Sequence, residues 1–249
     1  MSQNKKFILY GVERTGTNYF QGLLKKNFNN LTFFNDGKAK SLPIHKHFRL
    51  YDEQWFLPDI GYFQNFKYPD FVSYDKHVSE ITGETGINYL VSVKEPYSWY
   101  ISFSNLARKK SRVTKLIRNG WHPYITRNIN PHFIFDYNLF YKKWISFQKE
   151  SPDRVMIVRY EDLLLEREDT LQKVKDHFGL EKAQEEFTNL SKVPMSRKFT
   201  DSRKNYYVNQ EYFNEFTDHE LMVLTEHMDK EVIDALGYSL YDKQKAGKK

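Results

Sequence analysis

The chain of 249 residues contains no cysteine. This absence excludes disulfide bonds, thiolate metal sites and cysteine nucleophiles, and it fits a reducing compartment. No apolar run approaches the length of about 18 residues that a transmembrane helix needs. Residues 1–6 have no apolar segment behind them beyond one short strand, so they do not resemble a signal peptide. We therefore expect a cytoplasmic protein without a membrane span.

The composition indicates a compact globular protein, because apolar residues make up 40% and aromatic residues 17% of the chain. The length suits one large α/β domain. We expect a single domain over residues 1–242 and a disordered basic tail over 243–249. The formal net charge of +6 favours an anionic ligand, a polyanion or a membrane surface, and it equally fits a lysine-rich solvated surface.

Four short apolar segments predict buried strands, at residues 7–10, 42–48, 89–93 and 155–158. Helical or long irregular segments separate them, which favours parallel strands joined by crossovers. The predicted fold class is therefore α/β, with a central parallel sheet flanked by helices. Two aromatic-rich segments, 51–74 and 108–131, have no clear periodic pattern and are interpreted as binding loops or lids.

Apolar residues at helical spacing predict helices after the third and fourth strands, the second of which ends at Gly179. Near the C-terminus, Thr217 and Glu220 have the spacing of a capping box. The apolar residues that follow it fall on one helix face: Leu221, Leu224, Met228 and Val232. These stripes predict core-facing helices.

The first predicted strand is followed by a loop with the spacing of a phosphate cradle. Gly11 and Gly16 stand where the glycines of the GxxxxGK[ST] motif do, and a helix-like pattern begins at Asn18. Thr17 occupies the position of the motif's lysine, and the cation of the loop is Arg14 instead. The sequence therefore predicts a phosphate site that is not built for ordinary ATP chemistry.

Two further motifs follow predicted strands. Lys94 ends the third strand, and Ser102 lies eight residues later in the predicted helix. A cation at a strand end and a hydroxyl two turns into the next helix can converge on one phosphate group. The fourth strand runs into the sequence Tyr160-Glu161-Asp162-Leu163. Because ligands bind at the carboxyl ends of strands in open α/β sheets, we expect the three motifs to form one site.

In this order, the motifs resemble those of the sulfotransferases that use 3′-phosphoadenosine 5′-phosphosulfate, a family with a P-loop-type fold. The resemblance implies this nucleotide as donor and 3′-phosphoadenosine 5′-phosphate as product. It implies that the first loop binds the 5′-phosphosulfate and that Tyr19 and Tyr160 lie near the adenine. The donor-binding residues that it implies are Arg14, Thr15, Gly16, Thr17, Asn18, Tyr19, Lys94, Ser102, Tyr160 and Arg203.

The sequence departs from the family's pattern at several of these positions. Lys94 replaces an arginine at the 3′-phosphate, which exchanges a planar bidentate fork for a point charge. Glu95 replaces an asparagine or aspartate, and Asn18 replaces a hydroxyl residue. Arg203 matches an arginine that reaches the 3′-phosphate, although segment 197–204 equally fits a solvated basic loop.

The resemblance also implies catalytic residues. Arg14 stabilises negative charge on the leaving phosphate, and its role is electrostatic because an arginine does not usefully titrate. His47, at the end of the predicted second strand, stands where the family has its base, and a neutral imidazole suits that task near pH 7. Strand alternation puts His45 on the same face, in place of the family's lysine. The alternative bases are Glu13, His122 and His132.

The predicted function is in-line transfer of a sulfuryl group to a hydroxyl of a small-molecule or carbohydrate acceptor, with His47 as general base. Neither a metal nor a nucleic-acid partner is expected. A P-loop kinase of a nucleotide or small molecule stays open as an alternative and would depend on ATP and Mg²⁺. A non-enzymatic polyanion-binding protein is a second alternative, which would show steep salt dependence and no need for His47.

Overall fold

The computed structural model describes residues 4–35, 41–51, 66–113, 131–190 and 201–242, and for residues 107–113, 131–132 and 201–203 it describes the backbone alone. These residues form a single α/β domain in which helices flank a central parallel sheet of four strands. The predicted fold class is therefore confirmed. The tail 243–249 and most of the two unassigned aromatic-rich segments lie outside the described residues.

The strands are β1 (Lys5–Tyr10), β2 (Leu31–Phe33), β3 (Asn88–Val93) and β4 (Val155–Arg159), in the order β2-β1-β3-β4. All three pairings are parallel, and β3 pairs with β4 in the register that sets Leu90 beside Met156. The carboxyl ends of β1, β3 and β4 therefore meet at one edge of the sheet. This is the edge at which the three sequence motifs begin.

The predicted strand at 42–48 is wrong, because this segment forms consecutive turns and the second strand is β2. The main-chain N–H of His45 donates to the oxygen of Leu42, and that of Phe48 donates to the oxygen of His45, each at 2.9 Å. Such bonds between residues three apart curl the chain and leave no extended edge for a neighbouring strand. The weak alternation of apolar residues reflects partial burial beside β1, not strand pairing.

The helices of the described residues lie mostly between and after the strands. They are α1 (Thr17–Asn27), α2 (Phe71–Thr82), α3 (Pro96–Val113), α4 (Pro131–Glu150), α5 (Tyr160–Leu165), α6 (Arg167–Phe178), α7 (Asp201–Val208), α8 (Asp218–His227) and α9 (Lys230–Ala235). A 3₁₀ helix spans Glu211–Glu215. No helix in these ranges is long and apolar enough to cross a membrane.

The helix signals in the sequence are largely confirmed. Helix α6 ends at Gly179 with a φ of 63°, and the capping box of Thr217 and Glu220 opens α8. The apolar stripe that follows is divided between two helices, which the sequence did not predict. The Asp229 carboxylate accepts hydrogen bonds from the main chain of Glu231 and Val232, so a new helix, α9, begins there.

Aromatic side chains build the core between the sheet and the helices α2 and α4. The Tyr10 ring centroid lies 4.6 Å from that of Trp144, and the Tyr74 centroid lies 5.3 Å from that of Phe147. All four side chains are almost completely buried. This core anchors the carboxyl end of β1, from which the first motif departs.

Candidate active site

The loop that follows β1, residues 11–17, is here called the phosphate loop. Arg14 and Gly16 both have left-handed backbone, with φ values of 76° and 86°. A Cβ atom on Gly11 would lie 2.5 Å from the Thr15 hydroxyl and 2.8 Å from the main-chain oxygen of Ser92, so only glycine fits there. Such tight loops turn main-chain N–H groups inward and suit an anion.

Neighbouring elements fix the phosphate loop. The Thr15 hydroxyl donates to the Val12 oxygen at 2.8 Å, and the Ser92 hydroxyl at the end of β3 donates to the Thr15 oxygen at 2.7 Å. The indole N–H of Trp99 donates to the Glu13 oxygen at 2.9 Å. Helix α1 begins at Thr17, one residue before the predicted start, with no acidic residue in its first turn. Its N-terminus therefore adds a favourable dipole for an anion.

The first and second motifs meet at Arg14 and Ser102. The Nε atom of Arg14 donates to the Ser102 hydroxyl at 3.1 Å, across 88 residues of sequence, and Arg14 is exposed. The contact brings the Arg14 cation to Ser102, the residue of α3 that the sequence analysis predicted to bind a phosphate group. Both groups are therefore available on one side of the site.

Lys94 is buried at the end of β3, with 4% of its surface exposed. Its ammonium group donates to the Ser98 oxygen at 3.2 Å, one turn before Ser102 on α3. It also lies over the rings of Tyr160 and Tyr207, at 5.8 and 5.2 Å from their centroids. These contacts place the Lys94 amine close to the carboxyl ends of β3 and β4.

Three tyrosines line the site beside Lys94. The Tyr160 ring lies 6.2 Å from the Tyr19 ring and 5.7 Å from the Tyr207 ring. A Cβ atom on Gly16 would lie 2.3 Å from the Tyr160 ring, so this ring covers the phosphate loop directly. The sequence reasoning missed Tyr207. Its position one helical turn after Arg203, in α7, could have indicated that it belongs to the site. The side chain of Arg203 is outside the described part of the molecule.

The histidine segment lies against the phosphate loop although it is not a strand. The N–H of Gly11 donates to the Lys46 oxygen at 3.0 Å, and the His47 Nδ1 atom lies 2.6 Å from the Gly11 oxygen. A carbonyl oxygen only accepts, so Nδ1 carries the proton and Nε2 is the basic nitrogen of a neutral ring. Burial is the main cause that lowers the pKa of His47 to about 4. The imidazole is therefore neutral at pH 7.

His45 and Lys46 differ from what strand alternation implied. His45 is 4% exposed, and its Nδ1 atom accepts a hydrogen bond from the main-chain N–H of His47 at 3.1 Å. The ammonium group of Lys46 donates to the Asn18 side chain at 2.7 Å, at the start of α1. Lys46 thus brings a cation to the first turn of α1, next to the phosphate loop. The sequence reasoning missed it because the assumed strand turned it away.

Glu13 is bound by Arg49, a second residue that sequence reasoning missed. The Arg49 guanidinium donates to the Glu13 carboxylate at 2.7 Å and to both oxygens of Asp136 at 2.6 Å. Burial raises the pKa of Glu13, but the Arg49 cation and the nearby His47 outweigh it and lower the pKa to about 2. Glu13 is therefore ionised and paired.

Of the other alternative bases, His122 and the side chain of His132 lie outside the described residues.

Glu95 has a structural explanation. Its carboxylate accepts the main-chain N–H of Ser98 at 2.7 Å and so caps helix α3, while its own N–H donates to Glu161 at 3.1 Å. The other oxygen of Glu161 accepts the Tyr238 hydroxyl at 2.7 Å. Burial raises the pKa of Glu95 to about 8. A protonated Glu95 avoids repulsion from the neighbouring carboxyl group of Glu161.

A family model described as the sulfotransferase domain matches residues 4–235, which is nearly the whole chain and includes the phosphate loop, Lys94, Ser102 and Tyr160. No curated protein matches the chain significantly. On the extent of the family match, the chain belongs to the sulfotransferase family.

Proposed function

We propose that this protein transfers a sulfuryl group from 3′-phosphoadenosine 5′-phosphosulfate to a hydroxyl group of a small-molecule or carbohydrate acceptor. The observation that carries the proposal is the hydrogen bond of Arg14 to Ser102, at 3.1 Å. It joins the phosphate loop after β1 to the motif after β3, and a donor with phosphate groups on both the 3′ and the 5′ oxygen of its ribose needs both. Family membership supports sulfuryl transfer in general.

The chain's own residues fit such a donor. The phosphate loop, with Thr17 and the N-terminus of α1, would hold the 5′-phosphosulfate, and Lys94 with Ser102 would hold the 3′-phosphate. Tyr19 and Tyr160 would contact the adenine, since they form an aromatic wall beside the loop. The resemblance assigns Arg203, which stands one turn before Tyr207 in α7, to the 3′-phosphate.

The donor supplies an activated sulfuryl group, and the protein supplies charge and a proton acceptor. Arg14 would offset the negative charge left on the departing phosphate by electrostatic attraction. His47 would accept the proton of the acceptor hydroxyl at Nε2, because Nδ1 already donates to Gly11. Glu13 suits this task less well, since Arg49 holds it as a paired anion.

A transfer assay tests the proposal. The protein is incubated with the proposed donor and a pool of sugar, phenol and alcohol acceptors in the presence of EDTA. We expect 3′-phosphoadenosine 5′-phosphate and a sulfated product without added metal. Consumption of ATP that requires Mg²⁺, with no turnover of the phosphosulfate, would contradict the proposal and favour a P-loop kinase.

A further inference from the structure

Arg49 lies beside the phosphate loop with 9% of its side chain exposed. Its Nε and Nη2 atoms donate to the two carboxylate oxygens of Asp136, each at 2.6 Å. Nη2 also donates to the Glu13 carboxylate at 2.7 Å, and Nη1 donates to the main-chain oxygen of His47 at 2.8 Å. One guanidinium group therefore connects helix α4 to the Glu13 carboxylate and to the main chain of His47.

The contacts of Arg49 suit the positioning of Glu13 and His47 better than the stabilisation of the fold. A buried ion pair adds little net stability, because the cost of removing both charges from water offsets their attraction. The planar fork of arginine, however, fixes direction as well as distance. Asp136 holds two of its donors, and the Phe140 ring lies 5.5 Å from the guanidinium carbon. The guanidinium therefore meets Glu13 and His47 from a fixed position.

We propose that the Asp136–Arg49 pair positions the base of the reaction. It holds the His47 main chain against the phosphate loop and keeps Glu13 ionised and bound, so that the imidazole and not the carboxylate accepts the acceptor's proton. This inference rests on the proposed function. Neither Asp136 nor Arg49 touches the reacting atoms, so both are positioning residues.

The charged groups around His47 determine the direction in which its pKa should change when Arg49 or Asp136 is substituted. The titratable and charged groups that face it come from its own segment, the phosphate loop and α4: His45, Lys46, Arg49, Glu13 and, behind Arg49, Asp136. Burial lowers the pKa of His47 most, and the Lys46 and Arg49 cations lower it further, while Glu13 raises it. Loss of the Arg49 cation should therefore raise the pKa of His47, and loss of the Asp136 anion should not.

The test uses Arg49→Gln, Arg49→Lys and Asp136→Asn in the full chain. The ring signals of His47 are followed by NMR against pH and are identified by their loss in His47→Gln. We expect Arg49→Gln to raise the midpoint of the His47 titration, because a nearby cation is lost. Arg49→Lys keeps the charge, and Asp136→Asn keeps the cation, so neither should raise the midpoint. In all three, kcat should fall by about 10- to 100-fold through misplacement of the base.

A matched pair serves as the control. Arg154 donates to both oxygens of Asp75, at 2.8 and 2.6 Å, but it lies at the opposite end of β4 from the site. Arg154→Gln and Asp75→Asn should lower the melting temperature without changing the His47 midpoint or kcat. Affinity for 3′-phosphoadenosine 5′-phosphate should stay within about twofold in all the variants, because the pair does not hold the nucleotide.

Two results would overturn the inference: an unchanged His47 midpoint in folded Arg49→Gln, or a raised midpoint in Asp136→Asn. If Arg49→Gln does not fold, kcat of Asp136→Asn against Asp75→Asn decides, and equal values contradict the positioning role. The titration needs no substrate. A protein that fails to turn over the phosphosulfate refutes the proposed function, whereas an unmoved titration refutes the inference alone.

Discussion

The Nδ1 atom of His47 lies 2.6 Å from the main-chain oxygen of Gly11, the first residue of the phosphate loop. This bond connects the candidate base to the loop that would hold the donor, and it sets which ring nitrogen is free to accept a proton. Because the neighbouring N–H of Gly11 donates to Lys46, the two segments are joined twice. Two hydrogen bonds therefore hold the candidate base beside the candidate anion site.

Substitution of His47 should separate chemistry from binding. We expect His47→Gln to lower kcat by about two to four orders of magnitude, while affinity for 3′-phosphoadenosine 5′-phosphate stays nearly unchanged. Glu13→Gln, the comparison variant, should cost less. Steady-state kinetics and calorimetric titration measure the two effects. An inactive Glu13→Gln beside an active His47→Gln would show that the carboxylate is the base.

The pH dependence follows from the same environment. The pKa of His47 lies near 4, below the ordinary value of 6.5, so the neutral form persists as pH falls through the usual histidine range. We therefore expect kcat/KM to stay level from about pH 8 to about pH 5 and to fall only below that. An acid limb centred near the ordinary value would contradict the buried, neutral base.

Gly16 offers a steric test of the site. An alanine there would combine left-handed backbone with a Cβ atom 2.3 Å from the Tyr160 ring. Gly83 is a matched control, because its φ is 69° and a Cβ atom would meet nothing within 4 Å. We expect Gly83→Ala to cost about 1–2 kcal/mol of unfolding free energy and Gly16→Ala about 1–3 kcal/mol more.

Nucleotide binding extends this comparison to function. Gly16→Ala should also weaken binding of 3′-phosphoadenosine 5′-phosphate, because the phosphate loop and Tyr160 must separate to admit the methyl group. Denaturant unfolding and calorimetric titration of both variants make the comparison. Equal losses of stability with unchanged nucleotide affinity in both would rule out a close-packed loop at the donor site.

Local patterns in the sequence were sufficient for much of this architecture. The strands β1, β3 and β4 and the glycine spacing of the phosphate loop are short-range signals, since burial and tight turns restrict neighbouring residues. Long-range contacts were not predictable in the same way. The bond between Arg49 and Asp136 spans 87 residues, and no spacing rule relates such positions.

The histidine segment shows why one local signal misled. Its weak alternation matched a strand, but the segment forms turns that are hydrogen-bonded to Gly11, the residue after β1. Those hydrogen bonds, and not pairing in the sheet, place His47 beside the phosphate loop. Lys46 was overlooked for the same reason, because a turn and a strand direct successive side chains differently.

The buried charge of Lys94 leads to the central claim, which is recognition of a 3′-phosphate. Lys143 is a matched control: it too is buried, donates to a main-chain oxygen, that of Pro69, at 2.8 Å, and lies over two aromatic rings. Lys94→Met and Lys143→Met thus remove similar charges and keep similar apolar stems. The two variants differ in whether the lysine lies at the carboxyl edge of the sheet.

The most direct measurement compares calorimetric titrations of the wild type, Lys94→Met and Lys143→Met with 3′-phosphoadenosine 5′-phosphate and with AMP, in EDTA. We expect the wild type and Lys143→Met to prefer the 3′-phosphorylated nucleotide, and Lys94→Met to lose about 10- to 100-fold of that preference. Equal affinity of the wild type for the two nucleotides would contradict the account, as would a preference that survives Lys94→Met intact.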